Sequence, residues 1–213
     1  MPDASDSVFW WNWLVNLCVA IGTIGAVLVA LFGQAFREKF FPPRLSLCLS
    51  DSGGTPTPER MPNGQSVQAR YYHLRVSNSR RWSPASEVQI LLLQVEEPGP
   101  NGNLQVTWRG DIPLAWRHQQ LFPLARTMGR DADADLCSVR QGGPLKLHLL
   151  IEPLNLEVVR NQASTLVLSL QARGSQADSP VLRIRVAWDG GWHDGTTEMR
   201  GHLTVEPLQG VAT

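Results

Sequence analysis

Residues 10–44, WWNWLVNLCVAIGTIGAVLVALFGQAFREKFFPPR, divide the chain into two parts of different character. They overlap a run of 30 residues without a charged side chain, residues 7–36. Residues 14–36 alone would form a helix about 34 Å long, and the hydrocarbon core of a bilayer is about 30 Å thick. A helix pairs its own backbone groups, as hydrocarbon requires. We therefore predict a transmembrane helix over residues 9–36, after a short N-terminus of residues 1–8.

Aromatic and basic side chains mark both edges of the predicted helix. Aromatic rings favour the two interfaces of a bilayer. The residues that we assign to the interfaces are Trp10, Trp11, Trp13, Arg37, Lys39, Phe40 and Phe41. A cleavable signal peptide fits less well, because the residues before the run include Asp3 and Asp6 but no basic residue, and the run is too long. A buried core helix or an amphipathic surface helix also fits less well, since the run is long and lacks a polar face.

The charges on either side of the helix predict its orientation. Asp3 and Asp6 precede it, whereas the residues that follow are mostly basic. Because an excess of Lys and Arg stays on the cytoplasmic side, we expect the N-terminus outside and the rest of the chain in the cytoplasm. Cys48 and Cys137 are too few for a disulfide framework, and as reduced thiols they fit that compartment.

Small residues recur on one face of the predicted helix. Gly22, Ala26 and Ala30 are spaced four residues apart, and this spacing lets two membrane helices approach closely. The pattern favours self-association through the helix. The alternative is that glycine and alanine are simply common in membrane helices.

The remaining residues alternate between apolar and polar side chains in short runs, which is typical of half-buried strands. The alternating runs are YYHLRV (71–76), LKLHLLI (145–151), TLVLSLQA (165–172), PVLRIRVAW (180–188) and EMRGHLTVE (198–206). EVQILLLQV (87–95) is apolar on both faces, as a central strand would be, and no helical period follows Phe41. WDGGWHDG (188–195) predicts an Asp-Gly hairpin connection. Many short strands predict a mainly β protein, an antiparallel β-sandwich.

The strand pattern also predicts the domain boundaries. Residues 37–68 would hold the juxtamembrane segment, a first strand at 45–50 and a long mobile loop at 51–66, which is rich in glycine and proline. Residues 69–207 would complete the β-sandwich domain, and residues 208–213 would form a tail.

The segment YYHLRVSNSRRWSPASEVQILLLQVEEP, residues 71–98, resembles the paired strands of immunoglobulin-like bacterial sandwich domains. In it, Asn78 would close the turn with its side chain, and Ala85 would fit where the chain re-enters the core. DIPLAWRHQ (111–119) and DADADLCSV (131–139) are similar to parts of a family of small bacterial proteins with one membrane helix and a cytosolic sandwich. The resemblance implies an immunoglobulin-like fold at the bacterial inner membrane and implies no activity.

Three aspartates at alternate positions, Asp131, Asp133 and Asp135, look like the start of a calcium loop. The places that an EF-hand fills with Gly and Glu hold Leu136 and Gly142, so the motif fails. We favour a solvated turn that runs into a strand at Leu136.

Histidine offers no catalytic or zinc-binding spacing in this sequence. The five histidines lack the spacings of zinc sites, and His73, His148 and His202 fall on outward strand positions. His193 and Asp194 lie in the predicted hairpin, without a nucleophile motif beside them. We therefore expect no enzyme, no metal site and no cofactor.

A surface for a protein partner is the sharpest binding hypothesis. If the predicted turns cluster, the aromatic and basic residues that would form one patch are Arg80, Arg81, Trp82, Trp192 and His193, whereas Trp188 is in phase with the core. The net charge is +0 and the pI is about 7.0, which gives no support to nucleic-acid binding. The sequence favours a membrane-anchored binding module, and the alternative is a membrane effector of the defence or toxin type that oligomerises through its helix.

Overall fold

The computed structural model describes residues 4–117 and 125–208, and the chain separates into two compact units, Met1–Pro42 and Pro43–Thr213. The first unit is a helix and the second is almost entirely β. The elements are α1 (Ala4–Phe40), β1 (Leu45–Leu49), β2 (Thr55–Arg60), β3 (Ser66–Asn78), β4 (Ala85–Pro98), β5 (Leu104–Pro113), β6 (Arg126–Met128), β7 (Asp131–Arg140), β8 (Leu145–Leu147), β9 (Val159–Arg160), β10 (Ser164–Arg173), β11 (Leu182–Trp188), α2 (Thr196–His202) and β12 (Leu203–Leu208).

Helix α1 contains a stretch that is long and apolar enough to cross a membrane, Trp10–Gly33, and none of it is buried within the protein. This outcome confirms one long apolar helix at the predicted position. The structure extends the helix beyond the predicted residues 9–36 at both ends, since it begins at Ala4 and ends at Phe40.

The second unit consists of two antiparallel sheets, and we call it the two-sheet domain. The first sheet has the strand order β1-β3-β7-β8-β9, and β2 pairs with the N-terminal part of β3. The second has the order β12-β11-β10-β4-β5, and β6 pairs with the start of β4. Each sheet contributes to one hydrophobic core, from strands such as β3, β4, β10 and β11. The predicted mainly β architecture is therefore correct.

The period-two pattern identified the core residues of several strands correctly. Leu168 in β10, Ile184 in β11 and Trp188 at the end of β11 are all buried in the common core. Strand β4 lies inside its sheet between β10 and β5, as its run of apolar residues predicts. Alternating apolar side chains in these strands face the opposite sheet, and this burial is the main favourable term in folding.

The predicted mobile loop at residues 51–66 is wrong in its central part, because Thr55–Arg60 forms strand β2. Pro56 and Pro58 are two residues apart, so both nitrogens can face away from β3, the strand with which β2 pairs. Proline is therefore compatible with this edge strand, although its presence made the segment read as a loop.

The predicted strand at residues 198–206 is wrong in its first part, and the tight hairpin before it is also wrong. Residues 196–202 form helix α2, and only Leu203–Leu208 continues as β12. β12 does pair with β11, but the connection between them contains α2. Met199 is fully buried, as predicted, because one helical turn turns it toward the core.

Three further local predictions fail. The inward pattern of residues 145–151 ends early, because β8 stops at Leu147 and Ile151 is exposed. His73, predicted to face outward, is buried. The three aspartates of residues 131–135 lie inside strand β7 and not in a solvated turn, because β7 already pairs with β3 from Asp131 onward.

Candidate functional site

The two-sheet domain has two ends, which strand β3 connects. We call the end at Asn78 the entry end, because the chain enters the domain there at Arg44. The other, which we call the far end, lies at Arg70. Eight residues of extended chain separate the two positions, or about 26 Å at 3.3 Å per residue.

Arg70 is a buried side chain that connects two segments at the far end. It is 1% exposed, and its guanidinium donates hydrogen bonds to the carbonyl oxygens of Gly53 and Asp194, at 2.9 and 2.7 Å, and to Thr196 Oγ1 at 3.1 Å. Within the described part of the chain it forms no ion pair with a carboxylate, and its Nε has no hydrogen-bond partner. Neutral carbonyl groups therefore compensate for the buried charge. The hydrogen bonds of Arg70 connect the turn before β2 with the segment that leads into α2.

Gly54 allows this arrangement. Its φ is +68°, a conformation that residues with a side chain rarely adopt. A Cβ at this position would also lie 2.8 Å from Cγ of Arg70 and 2.9 Å from Cζ of Tyr72. The backbone must pass this close to Arg70 for the neighbouring carbonyls to accept its hydrogen bonds.

A cavity of about 250 Å³ opens beside Arg70. Trp192 and Asp194 line it, and the Trp192 indole donates a hydrogen bond to the Asp194 carboxylate at 3.0 Å. An aromatic ring and a carboxylate thus line one small opening, and the Arg70 guanidinium beside it is buried and already bonded to carbonyl oxygens. Such a combination suits a small polar group of a ligand.

A larger cleft of about 670 Å³ lies at the same end. Arg160 forms one wall and bonds to Glu97 at 2.7 Å and to Glu157 at 3.1 Å. Trp188 also lines the cleft. Nε of Arg160 and Oγ of Ser164 are buried without a partner among the described residues. The lining is mainly polar, so the cleft could accommodate a hydrogen-bonding ligand.

A cluster of titratable side chains lies between β3, β7 and the end of β8. His73 Nδ1 bonds to Asp135 at 2.8 Å, and His148 Nε2 bonds to Ser138 Oγ at 2.8 Å. The Tyr71 ring stacks against both imidazoles, at 6.3 and 5.3 Å between centroids. Burial lowers the pKa of His148 below its ordinary value, and burial together with the nearby Glu59 carboxylate raises that of Tyr71.

The Ser138–His148 pair has the atoms of a nucleophile and a base but not the access that catalysis needs. Ser138 is 4% exposed, so a substrate carbonyl cannot reach its hydroxyl. No group of three or more side chains that could hold a metal ion occurs within residues 4–117 and 125–208. The hydrogen bonds of the cluster connect β3, β7 and the end of β8 to one another.

The predicted partner patch is not assembled. Trp192 and His193 lie at the far end beside Arg70, whereas Arg81 and Trp82 follow Asn78 at the entry end. The length of β3 separates the two halves. The structure brings Arg80, Arg81 and Trp82 together with each other, in one turn closed by a Ser83 to Arg80 backbone hydrogen bond of 3.0 Å.

The other predicted residues can be located individually. Asp133 bonds to Arg75 at 2.9 Å, and Asp135 bonds to His73, so side-chain partners occupy two of the three aspartates. The helix residues that are exposed along α1 are Trp10, Trp11, Trp13, Gly22, Ala26, Ala30, Lys39 and Phe40, and Phe41 just after it is exposed as well. The side chain of Arg37 and the whole of His118 lie outside the described residues.

Sequence reasoning missed Arg70 and Arg160. A signal for Arg70 was present, since it is in phase with Tyr72 and Leu74 on β3 and the pattern therefore predicts that it is buried. Arg160 lies in a strand of two residues, too short for any period to show.

Comparisons with models of known protein families, with curated proteins and with solved structures found no match to this chain. The functional argument therefore rests on the geometry of the helix and of the two ends of the two-sheet domain.

Proposed function

We propose that this chain is a single-pass membrane protein that presents its two-sheet domain as a binding module. The observation that carries the proposal is the exposure of α1. Its apolar stretch Trp10–Gly33 is not covered by any part of the described chain. Exposing this predominantly apolar stretch of 24 residues to water would be costly, whereas its length matches the hydrocarbon core of a bilayer.

The flanking charges support an orientation with the N-terminus outside and the domain in the cytoplasm. Arg37, Lys39 and Arg44 follow the apolar stretch, and acidic residues precede it. Cys48 and Cys137 are both free thiols, which suits a reducing compartment. We place the protein in the inner membrane of a bacterium on the resemblance of its sequence to small bacterial membrane proteins.

The strand order supports an immunoglobulin-like fold for the two-sheet domain. Strands β1, β3 and β7 follow each other in one sheet like strands A, B and E, and β11, β10, β4 and β5 follow each other in the other like G, F, C and C′. Residues 114–117 bridge to β7 near Ala134, where strand D would lie. β8, β9 and β12 are additions to this arrangement.

Binding, and not catalysis, is the mode of action that we propose. The far end offers two clefts with polar walls, beside Arg70 and beside Arg160. Both are at the end of the domain opposite to the one where the chain enters from the helix.

Reporter fusions test the topology. A reporter that is active only in the cytoplasm, fused after Thr213, should be active, and one that is active only outside should be inactive. Alkaline carbonate should leave the chain in the membrane fraction. The opposite reporter result, or extraction by carbonate, would refute the anchor and its orientation.

The small residues on α1 support a second candidate, an effector that oligomerises in the membrane. Gly22, Ala26 and Ala30 lie on one face of the helix, and apart from the adjacent backbone of the helix itself no described atom lies within 4 Å of where a Cβ on Gly22 would be. Ala26→Leu should weaken association of the helix in a membrane two-hybrid assay. Val27→Leu points about 100° away and should change little. Equal association of both variants and the wild type would remove the support for the effector.

A further inference from the structure

The entry end carries an exposed basic turn that the binding-module proposal does not use. Residues 79–84 join β3 to β4, and we call them the entry turn. Trp82 at its tip is 64% exposed, and Arg81 beside it is exposed as well. The exposed Trp82 ring is therefore free of the core and available for contact with a surface outside the protein.

Asn78 fixes the entry turn to the chain that arrives from α1. Its Oδ1 accepts hydrogen bonds from the backbone nitrogens of Arg44 and Arg80, at 3.2 and 3.1 Å, and its Nδ2 donates to the Ser83 carbonyl at 2.8 Å. The Ser79 nitrogen donates to the Arg44 carbonyl at 3.1 Å. The entry turn and Arg44 therefore form one rigid unit.

The covalent chain limits how far this unit can move from a membrane. Helix α1 ends at Phe40, and only residues 41–43 lie between it and Arg44. Four steps of extended chain cover at most about 14 Å. If Phe40 and Phe41 lie at the bilayer interface, Arg44 is held within that distance of it, and the entry turn is hydrogen-bonded to Arg44.

Charge at the entry end is complementary to an anionic surface. The arginines there are Arg44, Arg80, Arg81 and Arg130. Arg130 lies at this end because its carbonyl oxygen accepts a hydrogen bond from the Asn78 backbone nitrogen. The carboxylates on the neighbouring strands are Glu87 and Asp131, and Asp178 in the β10–β11 connection lies 3.9 Å from Arg173. Without counting Arg80, the three arginines Arg44, Arg81 and Arg130 outnumber the two carboxylates Glu87 and Asp131 at this end.

We propose that the entry turn binds the anionic headgroup layer of the bilayer that α1 spans. Trp82 would sit at the interface, where the indole ring is favoured, and Arg81 would meet lipid phosphates. The proposal rests on the proposed membrane anchor and adds a second, lipid-specific contact. Its consequence is orientation: with the entry end against the lipid, the far-end clefts face the cytosol, about 26 Å away along β3.

The test has to separate docking from the tether, which keeps the turn near any membrane. The full-length chain, with Cys18→Ser and Cys48→Ser, would carry a spin label at Ser79→Cys and be placed in lipid nanodiscs. A second preparation would carry the label at Asn101→Cys, in the β4–β5 turn of the far end. The measurement is the accessibility of each label to a water-soluble relaxation agent.

We expect the label at Ser79 to be at least about twofold less accessible in discs with anionic phosphatidylglycerol than in phosphatidylcholine discs. Salt at about 1 M, where the Debye length is about 3 Å, should abolish the difference, as should Arg81→Gln with Trp82→Ser. The label at Asn101 should not respond to lipid charge.

The experiment distinguishes failure of the lipid contact from failure of the membrane anchor. Equal accessibility in both kinds of disc, with the protein still embedded, would overturn the lipid contact and leave the anchor intact. Release of the protein from the discs by salt or carbonate would overturn the anchor itself. A lipid effect that persists in the Arg81→Gln, Trp82→Ser variant would also overturn the assignment to the entry turn.

Discussion

Replacement of Asn78 by alanine should destabilise the two-sheet domain at its entry end. The side chain is 4% exposed and satisfies three backbone groups, the nitrogens of Arg44 and Arg80 and the carbonyl of Ser83. Alanine offers no polar atom in their place. The three groups would lose their partners in a position that water reaches poorly.

The magnitude follows from the number of bonds. A hydrogen bond in a protein contributes about 1 kcal/mol net, and a buried group left without a partner costs about 1–3 kcal/mol. Because Arg44 and Arg80 are partly accessible to water, we take the lower values and expect Asn78→Ala to cost about 3 kcal/mol in total. With a urea slope of about 2 kcal/mol per M, the unfolding midpoint should fall by about 1.5 M.

The assay is urea unfolding of the full-length chain in detergent micelles, followed by the fluorescence of the buried tryptophans Trp108 and Trp188. Ser79→Ala is the matched control, since Ser79 is exposed and its contact with Arg44 uses the backbone nitrogen. The control should shift the free energy of unfolding by no more than about 0.5 kcal/mol. If Asn78→Ala behaves like the control, the side chain does not hold the entering chain, and the rigid unit of the entry turn is refuted.

Two further predictions concern the histidine cluster and the far end. Burial lowers the pKa of His148, so the folded state binds a proton at this residue less readily than the unfolded state. The contribution of His148 to stability should therefore be constant above pH 6.5 and fall below it, by at most about 1.4 kcal/mol per pH unit. His148→Gln should flatten this fall in urea midpoints measured between pH 7.5 and 5.5. Arg70→Met should lower the free energy of unfolding by about 3 kcal/mol, because the carbonyls of Gly53 and Asp194 lose a charged donor. It should also make the β11–α2 connection accessible to proteases. A protease-resistant variant of unchanged stability would contradict the role of Arg70.

The sequence predicted most of the two-sheet domain because alternation reports burial directly. Leu166, Leu168 and Leu170 are in phase and are all buried, and the same holds for Ile184 and Val186. The roles of Asn78 as turn closer and Ala85 as the point of re-entry, read from the stretch 71–98, are confirmed: Asn78 bonds across the turn and Ala85 is fully buried.

The errors arose where local composition and the tertiary environment disagree. Pro56 and Pro58 read as loop, but an edge strand tolerates proline when its nitrogens face outward. Met199 and Leu203 have the spacing of a strand and also of one helical turn, and a run this short does not distinguish the two. His73 has the phase of an outward residue, but Tyr71 stacks against it and Asp135 bonds to it.

The candidate sites were less predictable than the fold, because they depend on which connections meet at each end. Arg70 contacts Thr196, and 126 residues separate the two in sequence. No local pattern encodes such a contact. The predicted patch failed for the same reason: Trp82 and Trp192 have similar local composition, but the strand order places them at opposite ends of β3.

Strand β3 relates these observations to one another. Every second residue from 70 to 78 is nearly or fully buried: Arg70, Tyr72, Leu74, Val76 and Asn78. The three central side chains join the apolar core, whereas the two outer ones are polar and bond to the backbone of other segments. Backbone groups of the connections at the ends of a two-sheet domain have no strand partner, so a buried polar side chain must satisfy them. Arg70 and Asn78 do this about 26 Å apart, and β3 therefore fixes the separation between the turn that we assign to lipid and the clefts that we assign to a partner.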